Sequence, residues 1–99
     1  MKIPKKAQIN KTTYKVKRIH SFKNGKVGEI HYKKKQITLA KHVVSALLTC
    51  RVSNREQWET FWHEVLHGIL HDMKRHDLNN EAFVRAFCRR LYTVLRSAR

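Results

Sequence analysis

Between Ser53 and Met73 apolar side chains return every third or fourth residue: Trp58, Phe61, Trp62, Val65, Leu66, Ile69, Leu70 and Met73. That is the period of an α-helix with one buried stripe. Ser53 and Glu56 frame its start as a capping box, each able to satisfy a backbone donor of the other. The spacing predicts a helix over 53–73. After a polar break from Lys74 to Asn80, Phe83, Val84, Phe87, Cys88, Leu91, Val94 and Leu95 predict a second helix over about 80–96. Trp58, Phe61 and Trp62 share the apolar face of the first helix and read as core. A chain of 99 residues has room for one domain, so residues 1–99 are read as a single unit.

The first half carries the other period. Tyr14 and Val16 alternate with Lys15 and Lys17, and Ile19 and Phe22 continue with a slip in phase. Asn24-Gly25 signals a hairpin, because both residues accept positive φ. Val27–Tyr32 is the return strand, Lys33-Lys34-Lys35 a second turn, and Ile37 and Leu39 mark a third strand. The expected fold is α+β: a three-stranded antiparallel meander packed on two antiparallel helices. Residues 42–52 form a short apolar run that fits a strand or a helical turn, and are read as a short helix. Residues 1–11 are read as a mobile basic arm.

Lys and Arg number 22 against 7 acids, a formal charge of +15. This excludes strongly basic partners and favours nucleic acid or an acidic protein. Twelve of the basic residues, against one acid, fall within residues 1–35. Lys15, Lys17, Arg18, Lys23, Lys26, Lys33, Lys34 and Lys35, interleaved with Tyr14, Phe22 and Tyr32, are the nucleic-acid candidates, although no signature of a known nucleic-acid-binding fold accompanies them. No apolar run approaches the ~18 residues of a membrane span, and no apolar stretch follows the basic N-terminus. A cytoplasmic protein without a membrane partner is expected. Cys50 and Cys88 lack metal-ligand spacing and are read as two buried thiols in a reducing compartment.

The first predicted helix contains His63-Glu64-Val65-Leu66-His67, an HExxH motif. At i and i+4 the two imidazoles lie ~40° apart around the axis and one turn apart along it, so they can share one metal ion. Zn²⁺ suits such nitrogen ligands. Glu64 points toward the edge where a water on the metal would sit, which suits a general base rather than a ligand. Two histidines do not complete a zinc site. His71 continues the row, but it stands ~12 Å along the axis from His63, too far to share one ion. Glu81 borders the apolar stripe of the second helix. A loop of about seven residues makes the helices antiparallel, which brings Glu81 level with His67. The residues therefore favour Glu81 as the third ligand, with helix N-terminal charge compensation as its other reading.

A helix-borne HExxH followed by a glutamate helix resembles the gluzincin metallopeptidases. In its compressed form it resembles the minigluzincins and the small phage or prophage members of the ImmA/IrrE-like group. The resemblance spans roughly residues 14–96. It rests on Gly28-Glu29-Ile30-His31-Tyr32 before Ile37-Thr38-Leu39, on the stretch Glu59–His71, and on Asn80-Glu81-Ala82-Phe83-Val84. It implies that His63, His67 and Glu81 ligate zinc and that Glu64 is the catalytic acid/base. It further implies hydrolysis of a peptide bond in a protein or peptide substrate. His71, His76 and Tyr92 are the candidates for a transition-state donor in the cleft, and the sequence does not choose among them. The alternative class is a basic nucleic-acid-binding or adaptor protein whose zinc is structural or non-catalytic.

Overall fold

The computed structural model describes residues 2–98. Six strands precede two helices: β1 (Lys6–Ile9), β2 (Thr12–Ile19), β3 (Gly28–His31), β4 (Gln36–Ala40), β5 (His42–Val44), β6 (Thr49–Arg51), α1 (Asn54–Asp72) and α2 (Glu81–Ser97). The α+β class is as expected, but the sheet is not a meander. It has four strands in the order β1-β2-β4-β3. β4 lies between β2 and β3, parallel to the first and antiparallel to the second. The reason is burial. Ile37, Leu39 and Ala40 of β4 are shielded from solvent altogether, which suits a strand with neighbours on both sides. Asn24-Gly25 does turn the chain, with Gly25 at φ +76° and its N–H donated to the Phe22 carbonyl. The turn lies inside the 20–27 connection rather than closing a hairpin between paired strands.

Two further expectations are corrected. Residues 6–9 are not an arm. They pair antiparallel with β2, and Ile9 is buried in the core. Residues 42–52 are not helical. β5 and β6 form a separate hairpin closed by a Ser45–Leu48 turn. Its β-branched residues Val43, Val44 and Thr49 suit a strand ladder. Leu47 and Leu48 stand exposed at its tip, and Cys50 is exposed on β6, so only Cys88 of the two thiols is buried.

α1 is the central layer. One side packs on the sheet, where Phe61 and Val65 meet Ile9, Tyr14, Ile37 and Leu39, with Trp58 and Trp62 half-buried at the border. The other side packs on α2, where Leu66 and Leu70 meet Val84 and Cys88. Ser53 caps α1 by accepting from the Glu56 N–H, and Asn80 caps α2 by accepting from the Phe83 N–H. The helices run antiparallel: Glu81 opens α2 beside His63 and His67, whereas Cys88 lies against the Glu59 carbonyl near the start of α1. Sheet and helix approach closely at Gly28, where a Cβ would overlap Thr60 Cγ2 and lie 3.3 Å from Glu64 Oε2.

Candidate metal centre

A cleft of about 960 Å³ is lined by α1, by α2 and by the 25–30 segment that leads into β3. His63 and His67 reach it from consecutive turns of α1, and Glu81 from the first turn of α2. His67 Nε2 stands 2.9 Å from Glu81 Oε1 and 3.2 Å from His63 Nε2, and His63 Nε2 stands 3.1 Å from Glu81 Oε2. The three residues can hold a metal ion. His71 is not part of this group. It stacks on Tyr32 at 3.8 Å between ring centroids, and His76 packs edge-on against it.

The proton inventory supports a cation among the three. His67 Nδ1 is 2.6 Å from Asn79 Oδ1, and an amide oxygen can only accept, so Nδ1 donates. In the neutral ring that leaves Nε2 with its lone pair facing a carboxylate oxygen and a second imidazole nitrogen. One cation satisfies all three lone pairs at once, as in metal sites where a second ring nitrogen is tied to an outer partner. Asn79 is itself held, its Nδ2 donating to the Tyr32 hydroxyl. Burial draws the His63 pKa below its ordinary value against the pull of Glu81. Burial pushes the Glu81 carboxyl up, but His63 and His67 together hold it below the usual carboxylate range. The Glu81 side chain is 65% exposed, so the cluster opens toward solvent rather than being sealed by protein.

Glu64 lines the same cleft and is buried. Burial raises its pKa to about 7, with the nearby charge of His67 opposing and those of Glu81 and Glu29 adding. Tyr92 also lines the cleft, whereas His71 and His76 do not.

The nucleic-acid candidates come from several elements, and Lys15, Lys17 and Arg18 line one shallow pocket with Lys5 and Lys6. Lys15 and Lys17 lie on the exposed face of β2, with Lys6 beside Lys15 across the ladder. Arg18 is exposed and lines the same shallow pocket as Lys15 and Lys17, while its Nε donates to Gln57 Oε1 of α1 at 2.9 Å. Lys26 lines the cleft and pairs with Glu29. Lys23 lies in the 20–27 connection, and Lys33, Lys34 and Lys35 lie in the β3–β4 turn.

Sequence reasoning missed Asn79 and the role of Tyr32. The position of Asn79 two residues before Glu81 was the available signal. Arg85, Arg89 and Arg96 of α2 also line the cleft. Among the described residues no helix is long and apolar enough to cross a membrane. Comparison with protein-family models, with curated proteins and with solved structures gives no match.

Proposed function

We propose that the chain is a small zinc-dependent peptidase of the gluzincin kind, with His63, His67 and Glu81 as ligands and Glu64 as acid/base. The observation that carries the reading is the convergence of two imidazoles and one carboxylate in an open cleft beside a buried glutamate. The donor atoms lie 2.9–3.2 Å apart, hydrogen-bond distances that need widen only by a few tenths of an ångström to admit zinc. Bonds of 2.0–2.2 Å in tetrahedral geometry put ligand atoms about 3.3 Å apart. Three protein ligands on a solvent-open face also match catalytic rather than structural zinc.

Bound there, zinc supplies Lewis acidity to a substrate carbonyl and to a water molecule. The chain's own residues do the rest. Glu64 takes a proton from that water at its carboxylate and returns it to the departing amide nitrogen. The Glu64 carboxyl lines the cleft beside the three ligands, where it is placed to do both. Gly28 leaves the Glu64 carboxylate free of side-chain crowding from β3. β3 is an edge strand, and its free side offers backbone groups to an extended peptide. Tyr92 is the cleft-lining candidate to donate to the carbonyl oxygen as charge develops on it.

The test pairs metal content with turnover. Purified protein should hold about one zinc per chain. His63→Ala or His67→Ala should abolish this, and Glu81→Ala should weaken it strongly. Glu64→Gln should keep zinc and fold while losing turnover by about two orders of magnitude or more. Unchanged function in zinc-loaded Glu64→Gln would remove the enzyme reading. Full zinc retention in Glu81→Ala with loss in His71→Ala would overturn the ligand set.

A second reading, a basic nucleic-acid-binding or adaptor module, is favoured by the exposed lysine row Lys6, Lys15 and Lys17. Binding through it should fall steeply with salt.

A further inference from the structure

The two walls of the cleft differ in charge. On the wall formed by β3 and α1, Lys26 pairs with Glu29 at 4.0 Å and Arg55 with Glu59 at 3.4 Å. The α2 wall presents Arg85, Arg89, Tyr92 and Arg96 at steps of four, three and four, which is one helix face. No carboxylate of the described residues forms an ion pair with any of these three arginines. Arg96 instead lies over the Tyr92 ring, 5.9 Å from its centroid. The row begins one turn beyond Glu81, at the metal cluster. From Arg85 to Arg96 it rises about 16 Å, the length of about five residues of extended chain.

Resting on the peptidase reading, we infer that the cleft selects peptide segments rich in Asp and Glu, held extended between the β3 edge and the arginine row of α2. The backbone of such a segment matches the free hydrogen-bonding edge of β3. Its carboxylates meet guanidinium groups that form no ion pair with a carboxylate of the described residues. A nucleic acid meets the arginines equally well but has no ladder of amides to pair with the free edge of β3. The α2 arginines are exposed, so replacing them leaves the core intact.

The experiment uses the full chain as the zinc-loaded Glu64→Gln variant, which binds without turning over. Three fluorescein-labelled decapeptides, alternating Ala–Glu, Ala–Gln and Ala–Lys, are titrated at low salt and followed by anisotropy. The Glu peptide should bind about tenfold tighter than the Gln peptide, as a few exposed pairs acting together allow, and the Lys peptide weakest. Adding Arg85→Gln and Arg89→Gln should erase the preference with zinc content and Tm unchanged. Removing the same charge at Lys11 and Lys41, outside the cleft, should leave it. Equal affinity for the Glu and Gln peptides, or an equal loss from the lysine pair, overturns the inference. So does a single-stranded oligonucleotide that displaces the Glu peptide and binds tighter through the same arginines. The two layers separate cleanly. Cleavage of a neutral peptide by the unmodified chain with no acidic preference sinks the inference and keeps the peptidase. Tight, arginine-dependent binding of the Glu peptide with no cleavage of it by the unmodified chain keeps the inference and sinks the peptidase.

Discussion

His67 Nδ1 donates to Asn79 Oδ1 across 2.6 Å, and this single contact fixes which nitrogen of His67 faces Glu81 and His63. Asn79 lies in the connection between the helices and is steadied by the Tyr32 hydroxyl, so the sheet, the loop and both helices act on one ring. Loss of such an outer partner weakens metal affinity about 10–100-fold. Asn79→Ala should therefore raise the zinc Kd by that factor in a chelator competition, with little change in far-UV CD. Tyr32→Phe, which removes only the hydroxyl, should have a smaller effect in the same direction. An unchanged Kd in Asn79→Ala would show that the His67 ring is held by packing alone.

Gly28 sets the gap between β3 and α1. An alanine there overlaps Thr60 and crowds Glu64. Gly28→Ala should cost about 1–3 kcal/mol, the usual range for overpacking, and lower turnover more than it lowers zinc content. Gly28→Ala combined with Thr60→Ser, which deletes the Thr60 methyl, should recover much of the stability. Failure of that rescue would place the strain elsewhere.

Glu64 makes the stability of the metal-free chain depend on pH. Its folded pKa, raised to about 7 from 4.5, means that the folded state binds more protons than the unfolded state between those values. The stability from holding the protonated carboxyl is complete below pH 4.5 and is lost as pH rises through 7. Such a shift corresponds to a difference on the order of 3 kcal/mol. In chelator-treated protein the Tm of Glu64→Gln minus that of the unmodified chain should grow between pH 5 and pH 8. A constant difference would mean that the Glu64 carboxylate is solvated.

The two thiols should react differently. Cys88 is buried between the helices, and burial pushes its thiol up to about 11. Only about a thousandth is thiolate at pH 8. Cys50 is exposed on β6. Iodoacetamide should add one group to the native chain, at Cys50, and two in guanidinium chloride, as read by mass spectrometry. Fast native labelling of Cys88 would contradict the packing of α2 on α1.

Both helices were legible in the sequence, with the cap of the first at Ser53, because helix signals are local: a 3.6-residue period and a side-chain acceptor three residues ahead of the N–H it caps. The pairing of His63 with His67 was fixed by the same period, and a short interhelix loop was enough to bring Glu81 level with them. The order of the strands was not legible. Asn24-Gly25 marks a turn whichever strand comes next, and what put β4 between β2 and β3 was the burial of Ile37 and Leu39 against Phe61 and Val65. The hairpin over residues 42–51 escaped for a similar reason, since a short apolar run fits either period until its neighbours are known. Charge count was a property of the chain, but charge position was a property of the fold. Only tertiary structure joined Arg18 to Gln57, set Lys6 beside Lys15 across the ladder and aligned Arg85, Arg89 and Arg96 along the cleft. Contacts such as Asn79 with His67 and Tyr32 join residues as far as 47 positions apart, and no local period encodes them.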